Sequence, residues 1–345
     1  MHAPRLISVI VPCRNEAEHI ERFLQCVLAQ QIPPGMALEV FIADGNSCDG
    51  TREILDSFAA SHAMIHVIPN PAGIVSTGLN ECIRQARGEI VLRMDVHTIY
   101  ARDYIAQCVT ELEQSQADNV GGPAQTVART AFQKVAQIVY HSRLGSGGAK
   151  FHNVTYEGPV DTVCYGCWHR ETLLDLGGFD EQLARNQDDE LNLRLIRRGG
   201  RIWQSPRIQS WVTPRSSLHR LFRQYLEYGY WKVHVIRKHR LPASWRHLVP
   251  AAFVGGLAVL LAGALVSTSA LALLAVALLT YILVVLAVSG WLCAAQANWR
   301  LFATLPIAFV AVHFAYGIGF WAGICDVVFR HRCWIATPSA GVAGR

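Results

Sequence analysis

The chain has 345 residues, 51% of them hydrophobic and 17% charged, with a formal net charge of +5. That is room for one large α/β domain and a more apolar part. Ten cysteines scattered along the chain fit reduced thiols better than a disulfide framework.

From residue 6 onward, short β-rich runs alternate with amphipathic helical ones, which predicts a mostly parallel sheet covered by helices. Strands are expected over 7–11, 38–43, 65–68 and 90–94, with helices over 17–29, 51–60, 76–86 and 103–113. The first apolar run is too short for a secretory leader and meets Cys13, Arg14, Asn15 and Glu16 at once, so this domain is expected to stay in the cytoplasm.

Composition then changes. Between Arg194 and His247 there are thirteen Lys or Arg and one acid, Glu227, whereas Leu248 to Trp299 contains no charged residue. The basic stretch suits a membrane surface with anionic headgroups rather than nucleic acid. Within it Leu218, Leu221, Phe222, Tyr225 and Tyr228 recur at helical spacing, with Arg220, Arg223 and Lys232 largely off that stripe. Residues 214–240 thus read either as a helix in the membrane interface or as a surface helix packed on the catalytic domain. As one helix, the uncharged run would extend about 78 Å against a hydrocarbon core of roughly 30 Å, so it must fold back. Ser267, Thr268 and Ser269 are the natural turn, giving spans near 248–266 and 270–290 and a third near 301–325. The expected organisation is a catalytic domain over 1–240, a membrane domain of about three transmembrane helices over 246–330, and a tail over 331–345. Three crossings place the tail opposite the catalytic domain; a re-entrant or interfacial third segment returns it to the same side, and Arg330 and Arg332 favour the cytoplasm. His313 and Asp326 in that segment are expected to face protein, headgroups or water, and Gly319 and Gly323 form a GxxxG packing motif.

Ligands of such sheets bind beyond the carboxyl ends of the strands. There the first strand runs into Pro12, Arg14, Asn15 and Glu16, the second into Asp44, Gly45, Asn46 and Ser47, and the fourth into Asp95 and His97. VPCRNE stands where a dinucleotide-binding fold needs GxGxxG, and no GxxxxGK[ST] is present, which argues against nicotinamide, flavin and P-loop chemistry. Cys164 and Cys167 form a lone CxxC without two further ligands at zinc spacing.

Four ordered motifs carry a resemblance. SVIVPCRNE at 8–16, IADGNSCDGT at 42–51, the stretch from Asn70 to His97 and GGFDEQLARNQDDELNLRL at 177–195 resemble family 2 glycosyltransferases of the GT-A fold over roughly residues 5–240. DxH in place of DxD, the NQDDELNLRL run and QYLEYGYWK at 224–232 resemble an exopolysaccharide subgroup that includes the succinoglycan-pathway glucosyltransferase. The resemblance implies a membrane-anchored inverting transferase, its catalytic domain facing the cytoplasm, with UDP-glucose the best guess as donor. The acceptor would be a polyprenyl-linked saccharide in exopolysaccharide or cell-surface glycan assembly, within a glycan-assembly complex. The alternatives are an enzyme charging the bare polyprenyl phosphate and a non-catalytic membrane subunit. QYLEYGYWK lacks the Arg of the processive QxxRW motif, which favours single addition.

The same resemblance distributes the roles. Asp44 contacts the nucleotide base, with Pro12, Arg14, Glu16, Asn46 and Asp95 framing the nucleotide-sugar; Glu16 reads equally as the cap of the first helix. Asp95 and His97 hold Mn²⁺ or Mg²⁺, and the imidazole shifts preference toward Mn²⁺. The family's base aligns with Asp188, Asp189 being the rival; both, with Glu190, also suit a helix N-terminus. Gln187 replaces a Glu there, which should raise the pKa of the base less. Gly166, Cys167, Trp168 and Asp189 are placed toward the acceptor, Trp168 either stacking on a sugar or packing in the core.

Overall fold

A computed structural model describes residues 5–329, which fall into two compact units. The first comprises residues up to Thr126 together with Lys150–Val212; the second comprises Val127–Ala149 and the described chain from Thr213. The expected boundary near 240 is thus displaced: two basic segments group with the apolar helices.

In the first unit the chain runs β1 (Arg5–Cys13), α1 (Ile20–Leu28), β2 (Met36–Asp44), α2 (Thr51–Ser61), β3 (Ile65–Pro69), α3 (Val75–Gln85), β4 (Ile90–Arg93), β5 (Thr98–Tyr100), α4 (Tyr104–Ser115), β6 (Asn119–Gly121) and β7 (Gln125–Thr126). The chain then supplies α5 (Ala131–His141) and α6 (Arg143–Ser146) to the second unit. It returns as β8 (Gly158–Pro159), β9 (Cys167–His169), α7 (Arg170–Leu176), α8 (Gln187–Arg197), β10 (Ile202–Gln204) and β11 (Ser210–Val212). Eight strands form one sheet in the order β3-β2-β1-β4-β9-β6-β10-β8, and β5-β11-β7 form a second. The β1, β2, β3 and β4 pairs are parallel, while β9 enters antiparallel between β4 and β6.

The β1 sequence explains its central place. Ile7, Val9 and Val11 point to one face, packed with Ile20, Phe23, Leu24 and Val27 of α1 and Ile105 and Val109 of α4. Ile10 points to the other, with Leu79 and Ile83 of α3 and Leu191 and Leu195 of α8. A strand buried on both faces reads as continuously apolar, as this one does. Pro12 comes where it does no harm: Met94 N–H bonds Ile10 C=O, after which β4 has ended and no donor is needed on that side.

Behind the site lies one buried ionic knot. Glu39, 3% exposed, accepts from Ser8 Oγ at 2.5 Å and from the backbone N–H of Arg87 at 2.7 Å and of Gly88 at 3.2 Å. Desolvation pushes its carboxyl up, but these hydrogen bonds outweigh it and hold the group below its ordinary value. A depressed carboxyl stabilises the fold above its unfolded pKa, and the contribution fades as pH falls through the folded value. Glu39→Ala strands these donors and is expected to cost about 2–3 kcal/mol near neutral pH. The gap to wild type should narrow in acid, read from melting of the detergent-solubilised protein.

The second unit contains α5, α6, α9 (Leu218–His239), α10 (Val249–Ala264), α11 (Thr268–Ala295) and α12 (Leu305–Phe329). Three of its helices, spanning Trp245–Ala264, Thr268–Ala295 and Leu305–Phe329, are long and apolar enough to cross a membrane. The polar triplet does not all form the turn: Ser267 caps α11 through Ala270 N–H, and Thr268 and Ser269 are already helical. α9 lies along α12, with Gly229 under the carbonyl of Tyr316, Gly319 under that of Leu226 and Gly323 under that of Tyr230. Its buried face is Leu221, Gly229, Tyr230, Trp231, Lys232, Val233, Val235 and His239, whereas Leu218 of the expected stripe is exposed. His313 and Asp326 both meet protein: His313 bonds Tyr281 Oη at 3.0 Å and the Leu144 carbonyl at 2.9 Å, and Asp326 accepts from Tyr230 Oη at 2.7 Å. Arg330 and Arg332 lie outside the described residues.

Candidate active site

β1 and β2 end in register, Cys13 opposite Asp44, so their loops leave the sheet side by side. Those loops are sewn together. Asn15 N–H bonds Ser47 Oγ at 2.9 Å, Cys48 N–H bonds Asn15 Oδ1 at 2.9 Å, Glu16 N–H bonds Thr51 Oγ1 at 2.8 Å and Ala17 N–H bonds Asp49 Oδ2 at 3.1 Å. Asn15 and Asn46 are left-handed, at φ 51 and 59°, a conformation asparagine tolerates better than most residues.

Of the predicted nucleotide residues, Arg14, Glu16, Asp44 and Asn46 lie on or at the start of this pair of loops. Asp44, 4% exposed, accepts Ser47 Oγ at 2.6 Å and the Ser47 N–H at 3.2 Å on Oδ1, while Arg52 approaches Oδ2 at 3.7 Å. Asn46 donates to Pro71 C=O at 3.3 Å, and Arg14 to Gly73 C=O at 3.3 Å. Glu16 does not cap α1 with its side chain. Its carbonyl accepts from His19 and Ile20, and its carboxylate turns to His97, with Oε1 3.6 Å from Nδ1.

At the end of β4 stands a residue that sequence reasoning did not single out. Arg93, 4% exposed, forks onto Asp95, Nε to Oδ1 at 2.9 Å and Nη2 to Oδ2 at 3.0 Å, and reaches Asp188 Oδ1 through Nη1 at 2.5 Å. Its guanidinium lies 5.8 Å from the centre of the Tyr165 ring. The signal was present: a charged residue inside the apolar run IVLRM cannot be buried unpaired. Tyr165 Oη shares a 2.5 Å hydrogen bond with Thr98 Oγ1, and Tyr100 Oη accepts the Asp95 N–H at 2.6 Å, which pins the turn carrying Asp95 and His97.

α8 begins with three acids that differ in surroundings. Glu190 is fully buried and consumed by Arg194, which also holds the carbonyls of Leu176 and Gly178 at 2.5 and 2.6 Å. Asn192 anchors the inner face through Thr162 and Asn119. Asp188, a third of its side chain open, is left at the crevice with Arg93. Desolvation pushes its pKa up to about 6, Asp95 and Asp189 adding to the rise and Arg93 opposing it. The Gln187 substitution does not touch the main cause of that rise. Asp189 is half-buried on the same turn.

The acceptor-side expectation needs correction. Cys167 is 0% and Trp168 2% exposed, one on each face of the sheet, and Trp168 meets Phe179 edge to face at 6.2 Å. Neither presents a surface to a sugar. Both sheet faces are covered by helices there, so Cys167 and Trp168 of β9 point into the core, while His169 at the strand's end is exposed. Gly166, at φ 90°, gives its carbonyl to Arg93 N–H at 3.1 Å, and a Cβ there would strike the Trp168 ring. Cys164 lies near Asp188, its thiol pushed up to about 12 by desolvation and by that carboxylate.

Residues 8–173 match the model of glycosyl transferase family 2. Over 336 residues the chain is 31% identical to the succinoglycan biosynthesis protein ExoA of Rhizobium meliloti (strain 1021), covering 94% of this chain and 96% of that one. The chain belongs to glycosyl transferase family 2. Another family relative, at 27% identity over 72% of this chain and 78% of its own, is the dolichyl N-acetyl-alpha-D-glucosaminyl phosphate 3-beta-D-2,3-diacetamido-2,3-dideoxy-beta-D-glucuronosyltransferase of Methanococcus voltae. The fold is shared with the mannosyltransferase PcManGT from Pyrobaculum calidifontis, solved with GDP-Man and Mn²⁺, at a TM-score of 0.59 and 23% identity over 91% of this chain and 87% of that one. The protein is therefore a GT-A glycosyltransferase, its mostly parallel α/β domain followed by transmembrane-length helices.

Proposed function

We propose that this enzyme transfers a sugar with inversion from a nucleotide-sugar to a lipid-linked saccharide, with Asp188 as general base. The observation that carries the reading is the Arg93 cluster, in which one buried cation binds a carboxylate from the end of β4 and a second, part-open one from the start of α8. Asp44, Asn46, Arg14, Glu16 and Pro12 frame the nucleotide, and Asp189 lies on the acceptor side. In the reaction an acceptor hydroxyl attacks the anomeric carbon, its proton passes to Asp188, and the bond to the diphosphate breaks with its electron pair leaving on phosphate. Similarity to a succinoglycan biosynthesis protein supports a role in exopolysaccharide assembly; the donor we propose is UDP-glucose, with the catalytic domain at the cytoplasmic face of the inner membrane, alone or in a glycan-assembly complex.

Asp95 and His97 fit a divalent cation by donor type, one carboxylate oxygen and one half-exposed imidazole nitrogen on a pinned turn. Among the described residues no group of three or more His, Cys, Asp or Glu is placed to hold an ion by itself, so phosphate oxygens of the substrate and water would complete the shell. When bound, Mn²⁺ or Mg²⁺ neutralises charge developing on the departing diphosphate.

Membranes incubated with Mn²⁺ and a panel of labelled nucleotide sugars test the reading, which fails if no label enters the lipid fraction. Labelled product that is a monosaccharide on bare polyprenyl phosphate would replace the saccharide acceptor. A pH profile tests the base. Because Asp188 must be ionised to accept a proton and its pKa is raised to about 6, kcat/KM should climb tenfold per pH unit below that value and level off above it. A profile flat down to pH 4.5 would remove Asp188 from the role.

A further inference from the structure

Arg93 does more than the transfer requires. Its fork covers both oxygens of Asp95, and its remaining nitrogen reaches Asp188. The side chain is held in place: its strand pairs with β1 and β9, its N–H is tied to Gly166 C=O, and Tyr165 lies against the guanidinium. A guanidinium does not lose its proton in a protein, and burial strengthens its field.

A divalent cation approaching Asp95 therefore meets a carboxylate already neutralised and a fixed positive charge behind it. His97 offers a nitrogen but no compensating charge when neutral, and Glu16 beside it supplies one negative charge. A nucleotide diphosphate supplies both missing elements, negative charge and further oxygen ligands.

We propose that Arg93 is a positioning residue that makes cation capture at Asp95 conditional on the nucleotide diphosphate. Without nucleotide it occupies Asp95 and holds Asp188 beside it. When cation and diphosphate arrive together, their combined charge no longer opposes the guanidinium, and Arg93 keeps Asp188 oriented for the acceptor. This rests on the reading of Asp95 and His97 as metal ligands.

The test is Mn²⁺ binding to the full-length protein in detergent, followed by electron paramagnetic resonance with and without UDP. In wild type UDP should tighten Mn²⁺ binding. Arg93→Met should raise the affinity for Mn²⁺ without UDP at least about tenfold, because a unit charge close to the ion is removed. Adding Asp95→Asn to that variant should abolish the gain. A merely structural role predicts the opposite sign, since a damaged site binds less. If Arg93→Met does not fold, Arg93→Gln is read in the same way, as it removes the charge and leaves a polar side chain able to bond a carboxylate. Wild type that takes up Mn²⁺ with UDP, while neither Arg93 variant gains affinity without it, overturns the Arg93 proposal alone. Wild type that takes up no Mn²⁺ even with UDP overturns the metal reading and this proposal with it.

Discussion

Asp188→Asn is expected to lower the rate of transfer about 10² to 10⁴-fold, the usual worth of a general base, while donor binding stays close to wild type. The amide is nearly the same size, and its oxygen can still accept from Arg93 Nη1, so the cluster keeps its shape and loses only the basic group. Asp189→Asn is the control. It sits on the same helical turn, but it is Asp95 and Asp188 that Arg93 binds through Nε, Nη2 and Nη1, and the loss of the Asp189 charge should lower turnover far less. The measurement is kcat with saturating donor, alongside titration of UDP binding by calorimetry. Wild-type turnover in the Asp188 variant together with a collapse in the Asp189 variant would move the base by one residue.

Excess EDTA should abolish transfer, and Mn²⁺ should restore it at least as well as Mg²⁺. A cation on the departing phosphate contributes several kcal/mol to the transition state, so a loss of about 10²-fold or more is expected. The order of the two metals follows from the ligands, since an imidazole beside one carboxylate suits the softer ion. Activity that survives chelation in full would leave Asp95 as a partner of Arg93 and nothing more.

Much of this site is legible because its residues follow strands. The apolar runs 7–11, 38–43, 65–68 and 90–94 have the composition of strands buried on both faces, and the polar residues after them fall at the crevice whatever the details of the turns. What pairs across sequence is not legible in the same way. Arg93 and Asp188 are 95 positions apart, and nothing local to either announces the other. Trp168 shows the same limit: whether an aromatic at the end of a loop stacks on a ligand or enters the core depends on β9 sliding antiparallel between β4 and β6. The grouping of Val127–Ala149 and α9 with the apolar helices was hidden for a related reason, because their polar composition resembles a surface while their buried sides face α12.

The glycines between α9 and α12 bear on how freely this part of the chain can drift. In the membrane-length segments ending in α10 and forming α11, only 6% of the apolar window is buried, so most positions ask for an apolar side chain and little else. Leu, Ile, Val and Ala are nearly interchangeable there, and the hairpin is specified by composition. α12 is 44% buried, and at Gly319 and Gly323 a single methyl group would meet a carbonyl of the neighbouring helix. That helix is specified position by position. Of three segments that are all apolar enough to cross a membrane, two carry individual information at few positions, such as Tyr281 where α11 meets His313, and the third reads like the core of a soluble protein.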